Sequence, residues 1–201
     1  MKVIVFDTET TGFPSPNLGL DKQPYMCEFA CITLDFDVDS KILTEVGRKD
    51  VLIKIPVEMP LDSAGIHKIT DEMLMNEKLF SELADGILEE FRKADVAVAH
   101  NLNFDRKIFE IELERLGRDK DFLPGQLFDT MLASKEMCNL PGKFGKVKSP
   151  RLGELYYYLF EETFENAHNA IADVEATVRC LQGLADKNLF NPEEPNQGSL
   201  F

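Results

Sequence analysis

No two of the four cysteines are spaced as C-x-x-C: Cys27, Cys31, Cys138 and Cys180 stand apart. That argues against a zinc site and leaves them as small buried apolar residues of a reduced, cytosolic protein. No apolar run reaches membrane length, and the opening run Lys2-Val3-Ile4-Val5-Phe6 is far shorter than the core of a secretion signal. A soluble, cytoplasmic chain with no membrane partner is expected. Internal repeats are absent as well. Basic residues are scarce, 22 against 36 acidic, for a formal charge of −14. Such a balance counts against a polyanionic ligand, because nucleic-acid binders usually carry a basic face. The sum hides a local exception: Lys143, Lys146, Lys148 and Arg151 fall in a stretch that holds no acid. Bound divalent cations would also offset several of the acids.

What is present suffices for one substantial α/β domain, since 44% of the 201 residues are apolar. The segment order reads β-β-β-α-β-α-α-α, a mixed sheet with helices packed on it. Val3 to Phe6 form a strand buried on both faces. Strands over 25–36 and 42–55, the latter broken near Gly47, are expected as antiparallel neighbours of the first, because no helix intervenes. Short helices over 58–64 and 70–75 flank Gly65 to Ile69. Ser81 is placed to cap a helix running to Lys93, with Leu83, Ile87, Leu88 and Phe91 on one face. A buried strand over 95–99 leads to a helix capped by Asn101 or Asn103 and ended by Gly117. A strand or turn near Leu127 precedes helices over 129–138, 151–160 and 169–187. Pro-rich 13–24 reads as a loop, Gly-, Pro- and Lys-rich 139–150 as a mobile loop, and 188–201 as an irregular tail.

The chemistry gathers around Asp7-Thr8-Glu9-Thr10-Thr11-Gly12, at the end of the first strand. Residues i and i+2 of a strand point the same way, so Asp7 and Glu9 present two carboxylates on one face. Like charges there repel and resist burial. Either they are solvated at a loop edge, or a cation holds them together. Asp105 falls in the first turn of a helix, where the helix dipole alone favours an acid. His168 precedes the last helix and Asp173 opens it, among Ala170 and Ala172, whose small side chains let the helix start approach the sheet. Singly, each reads as well as a half-exposed histidine or a helix-start aspartate. These acids are scattered along the chain, unlike the single loop of an EF-hand buffer.

Three ordered segments, Asp7-Thr-Glu9-Thr-Thr-Gly12, His100-Asn101-Leu-Asn-Phe104-Asp105 and His168-Asn-Ala-Ile-Ala-Asp173, resemble the motifs of the DEDDh 3′–5′ exonucleases. That DnaQ-like branch of the RNase H-like fold includes the proofreading subunits of bacterial replicative DNA polymerases. Ile66-His67-Lys68-Ile69-Thr70 resembles the family's I-H-G-I-T, with Lys68 where glycine is usual, and Phe128-Asp129-Thr130 resembles its F-D-T. The resemblance covers 1–187 as one exonuclease domain and implies an RNase H-like α/β fold, a mixed central sheet flanked by helices. It implies two Mg²⁺ or Mn²⁺ ions on Asp7, Glu9 and Asp173, with Asp105 binding directly or through water. Ions so paired sit ~3.5–4 Å apart, one activating water and the other stabilising the leaving oxygen. His168 would be the general base, a role that suits an imidazole mostly neutral at cellular pH. The products would be nucleoside 5′-monophosphates.

Around this centre several roles stay open. Thr10 and Gly12 would shape the approach of the terminal nucleotide. Phe13 either stacks on the last bases or anchors its loop in the core. Asn101 caps the motif or touches substrate, and His67 is a substrate contact or a hydrogen-bonded structural histidine. The loop with Lys143, Lys146, Lys148 and Arg151 either meets the phosphate backbone or is a solvated surface. Single-stranded DNA 3′ ends are the favoured partner, with an RNA-directed exoribonuclease as the alternative, since contacts to a 2′-hydroxyl are not legible in sequence. In the tail, Gln197-Gly-Ser-Leu200-Phe201 resembles the Q-x-x-L-F peptide that bacterial replication proteins insert into the sliding clamp. It implies tethering to a clamp beside a DNA polymerase, through an amide on the rim and two apolar side chains in a pocket.

Overall fold

The opening strand β1 (Lys2–Thr10) runs through the middle of the sheet because its apolar side chains serve both faces. A computed structural model describes residues 1–165 and 168–192. Ile4 and Phe6 enter a core with Phe29, Ile87, Phe91 and Phe109, whereas Val3 and Val5 join Ile32, Val98, Val174 and Leu181 on the opposite face. Strands β2 (Met26–Phe36) and β3 (Leu43–Leu52) follow as an antiparallel meander. Helices α1 (Leu61–His67), α2 (Asp71–Leu74) and α3 (Phe80–Arg92) lead to β4 (Val96–Ala99), which pairs parallel with β1. Then come α4 (Leu102–Arg115), β5 (Gln126–Asp129) parallel to β4, and α5 (Thr130–Cys138). A hairpin of β6 (Leu140–Pro141) and β7 (Val147–Lys148) precedes α6 (Leu152–Phe160) and α7 (Ala170–Asp186). The five-stranded sheet has the order β3-β2-β1-β4-β5, with α3 and α4 on one face and α7 on the other. This is the RNase H-like α/β arrangement.

Four expectations need correction. The third strand does not neighbour the first: β3 pairs with β2, so β1 has β2 and β4 beside it. Its direction differs as well: a short connection reverses the chain against β2, so β3 runs parallel to β1 and the three strands form a meander. The break near Gly47 is a bulge, because Thr33 pairs with Gly47 and Leu34 with Glu45, leaving Val46 unpaired. Ser81 lies inside α3; the helix starts after Leu79, whose N–H is accepted by Glu82 Oε2 at 3.0 Å. Segment 139–150 is built as the β6–β7 hairpin rather than left irregular.

All four cysteines are buried and free. The Pro-rich loop after Gly12 is pinned from α4. Arg115 donates to the carbonyls of Leu20, Gln23 and Pro24 and lies 3.7 Å over the Tyr25 ring, and Glu112 accepts both from Arg115 and from the Met26 N–H. Residues 193–201, and with them Gln197, Leu200 and Phe201, lie outside the described residues. No described helix is long and apolar enough to cross a membrane.

Candidate active site

The alternation that buries Val3 and Val5 under α7 carries Asp7 and Glu9 to the same face at the strand's end. There α7 begins, and carboxylate oxygens of Asp7, Glu9 and Asp173 lie within 4.8 Å of one another. Asp105 comes from the other side of the sheet, in the first turn of α4. It is buried and accepts a 2.7 Å hydrogen bond from Thr8 Oγ1, the strand residue between the two acids. The His168 backbone N–H donates to Asp173 Oδ2 at 3.1 Å, so the histidine and the aspartate are fixed to each other. A cleft of about 270 Å³ gathers all five, together with Thr10, Gly12, Phe13 and His67.

Burial and mutual repulsion dominate the electrostatics. Asp7 is raised well above the ordinary carboxylate range by burial first, then by Asp105, Asp173, Glu9 and Glu28. Burial, then Asp173, pushes Glu9 up to about 8, and burial lifts Asp105 to about 7 against the Thr8 hydrogen bond. Clustered hard oxygen donors that cannot comfortably ionise together could hold a divalent cation, and among the described residues no sulfur or imidazole joins the three. A carboxyl raised in the fold is stabilising below its unfolded pKa and loses that contribution as pH climbs toward its folded value. Metal-free protein should therefore melt lower as pH rises from about 4.5 to about 8. Millimolar Mg²⁺ or Mn²⁺ should restore the melting temperature, most strongly at the alkaline end, by ~2.7 kcal/mol at a hundredfold excess over Kd. Superimposable melting curves in chelator and in metal would contradict a convergent acidic cluster.

The remaining sequence-predicted residues separate. Phe13 is 80% exposed, edge-on to Phe104 at 5.8 Å, so it does not anchor its loop in the core. Thr10 Oγ1 donates to the Gly12 carbonyl at 2.8 Å and shapes the turn. His67 is buried: its Nδ1 accepts from the Ile69 N–H at 3.1 Å, and Nε2 lies 3.9 Å from Cys27 Sγ. Its neighbour Lys68 has φ 64°, the left-handed region glycine enters without steric cost, which accounts for glycine being usual there. Asn101, Lys143, Lys146 and Lys148 lie outside the cleft. The Asn101 side chain caps nothing; instead Asp129 accepts from the Asn101 and Leu102 N–H groups and from Met131 and Leu132, holding the starts of α4 and α5 together. His100 sits between Thr130 Oγ1 and the Pro150 carbonyl, and burial lowers it to about 4, so it stays neutral.

Glu28 is a residue the sequence reading missed, although a lone acid in the apolar run Met26–Leu34 was its signal. It pairs across from Glu9, is buried, and accepts from the Ala170 N–H at 3.0 Å and Asn169 Nδ2 at 3.4 Å. Burial pushes its carboxyl up to about 7, and it hydrogen-bonds Asp50, whose carboxyl burial also raises. Glutamine reproduces the two strongest, donating to Asp50 and accepting from Ala170, and forfeits only the 3.4 Å bond from Asn169 Nδ2. Glu28→Gln should thus keep near-normal stability and activity, whereas Glu28→Ala should cost ~1–3 kcal/mol by orphaning a buried N–H at the start of α7. Denaturant titration of both variants checks this, and equal losses would contradict it.

Comparison with known proteins identifies the family and the fold. DNA polymerase III subunit epsilon of Haemophilus influenzae is 28% identical over 207 positions, covering 98% of this chain and 73% of that one. The same subunit of Rickettsia felis is 32% identical over 140 positions, 68% of this chain and 56% of that one. That of Treponema pallidum is 34% identical over 108 positions, 54% and 44%. The chain thus spans between about half and three quarters of these relatives. Among solved structures, exonuclease X in complex with 5′ overhanging duplex DNA superposes with a TM-score of 0.62 at 18% identity, covering 95% of both chains. The zinc-bound complex of Escherichia coli exonuclease I with single-stranded DNA gives 0.72 at 19% identity, covering 92% of this chain and 40% of that one. At such identities these two establish the fold. Residues 4–181 match the RNase T exonuclease family, and the chain belongs to that family.

Proposed function

We propose that this domain removes nucleotides one at a time from the 3′ end of single-stranded nucleic acid, DNA in preference to RNA, by hydrolysis that depends on Mg²⁺ or Mn²⁺. The observation that carries the reading is the meeting of Asp7, Glu9, Asp105, Asp173 and His168 in one cleft. Asp7, Glu9 and Asp173 would hold the cations, and Asp105, already engaged by Thr8, would contribute directly or through water. When bound, the divalent ions supply positive charge for the attacking and leaving oxygens of the phosphoryl group. His168 takes the proton from the attacking water as the new phosphorus–oxygen bond forms. The bond to the upstream 3′-oxygen breaks, that oxygen keeps the electron pair and takes a proton from solvent, and the products are a strand one nucleotide shorter with a 3′-hydroxyl and a free nucleoside 5′-monophosphate. Thr10 and Gly12 shape the floor under the terminal nucleotide, and the exposed Phe13 ring is a platform for its base.

The preference for DNA rests on the polymerase III subunits among the relatives and on the DNA in the structural neighbours' complexes. By the same analogy the domain would work beside a replicative polymerase, with Gln197, Leu200 and Phe201 tethering it to a sliding clamp and raising the local concentration of primer ends. Titration of a bacterial clamp with the full chain and with a form ending at Asn196 tests the tether; equal signals from both would remove it. A digestion panel of single-stranded DNA, duplex DNA and RNA with Mg²⁺ tests the substrate. Faster loss of single-stranded DNA is expected, and faster loss of RNA would replace this reading with the exoribonuclease one.

A further inference from the structure

The most exposed aromatic among the described residues is far from the core and serves no fold contact. Phe144 is 98% exposed at the tip of the β6–β7 hairpin. It occupies a four-residue turn, Lys143 to Lys146, closed by a hydrogen bond from the Lys146 N–H to the Lys143 carbonyl at 3.2 Å. Both central residues have positive φ, 56° at Phe144 and 71° at Gly145, the pattern of a type I′ turn. Asparagine or glycine suits the first of these positions; a bulky aromatic is rare there. The hairpin below is closely built. Gly142 donates to the Lys146 carbonyl at 2.8 Å, and a Cβ on Gly142 would stand 2.6 Å from that oxygen. A strained, solvent-facing ring on a firm support is a feature the fold does not need, and such outliers point toward function.

Charge says what would cover it. Lys143 and Lys146 flank the ring, are exposed, and form no ion pair among the described residues, whereas Lys148 is engaged by Glu154. In a chain of charge −14 this tip is locally cationic. Position says the same. The hairpin leads to Pro150, whose carbonyl bonds His100 Nε2 at 3.1 Å, and His100 lines the cleft with Asp7 and Asp173. Six residue steps, at most roughly 20 Å at ~3.4 Å each, separate Phe144 from Pro150 at the cleft wall.

We propose that this hairpin is a second binding site for single-stranded nucleic acid, with a base stacked on Phe144 and the neighbouring phosphates met by Lys143 and Lys146. It rests on the functional reading above and extends it to the strand upstream of the cleft. Stacking tolerates any base and is insensitive to salt, whereas phosphate contacts release counterions. The test is an anisotropy titration of fluorescein-labelled single-stranded oligothymidylate against the full chain, in chelator to prevent hydrolysis, over a series of salt concentrations. Phe144→Ala should weaken binding about 5- to 160-fold, the range for one lost base–aromatic stack, without changing the salt slope. Phe144→Trp should restore affinity. The Lys143→Gln/Lys146→Gln pair should instead flatten the slope by about 1.4, ~0.7 per phosphate contact on a single strand. Phe144→Asn, which suits the turn, should raise the melting temperature while weakening binding as alanine does. Wild-type affinity in Phe144→Ala or Phe144→Asn, from a wild type that binds and degrades DNA, overturns the hairpin site alone. A wild type that neither binds nor degrades the oligonucleotide overturns the functional reading and the hairpin with it.

Discussion

The Asp7→Ala protein should fold and hydrolyse nothing measurable, a loss of at least ~10³-fold, the scale on which pre-organised charge stabilises a charged transition state. The same holds for Asp173→Ala. The fold should survive because these acids do not hold it together in the absence of metal. Burial and neighbouring carboxyls raise Asp7, so removing its charge relieves repulsion on Glu9, Asp105 and Asp173. Metal-free Asp7→Ala should therefore melt no lower than the parent near neutral pH, and Mg²⁺ should no longer raise its melting temperature. Loss of activity with a retained metal-dependent rise would mean that the ions are held elsewhere. Near-normal turnover in Mg²⁺ would remove Asp7 from the mechanism.

The second large effect is on proton transfer. His168→Ala should slow hydrolysis by the ~10²–10⁴-fold typical of a lost general base. Metal affinity should persist, because the oxygen cluster excludes the imidazole and the hydrogen bond to Asp173 comes from the backbone of residue 168. His168 has φ 70°, and asparagine tolerates that left-handed backbone better than alanine does, so His168→Asn is the companion variant that separates chemistry from local strain. Both variants should be slow, and both should still gain stability from Mn²⁺. A variant that loses Mn²⁺ affinity along with the side chain would make the histidine a ligand instead.

How much of this was legible follows from which contacts are local. Period-two alternation in Val3 to Phe6 places Asp7 and Glu9 on one face, and the structure covers that face with α7. The small residues Ala170 and Ala172 announce a helix that starts close to the sheet, and Ala170 is fully buried there. Long-range partners were illegible. Nothing near Asn101 reveals that the start of α4 is capped by Asp129, because the acceptor arrives from the end of another strand. Nor does the sequence near Ala170 show that Glu28, on β2, accepts its N–H. The hairpin escaped for a local reason: Pro141 argues against a strand, and Phe144 stands where a type I′ turn favours asparagine. The placement and direction of β3 were misassigned because a short connection reverses the chain against the strand just before it, β2, and not against β1.

The central claim, metal-dependent removal of nucleotides from the 3′ end, is tested most directly by single-stranded DNA labelled at its 5′ end and digested with Mg²⁺. A descending ladder, each band one nucleotide shorter, with nucleoside 5′-monophosphates as the released product and no reaction in chelator, is the predicted result. Immediate release of the label as a mononucleotide, cleavage at internal positions, or hydrolysis that proceeds unchanged in chelator would contradict it.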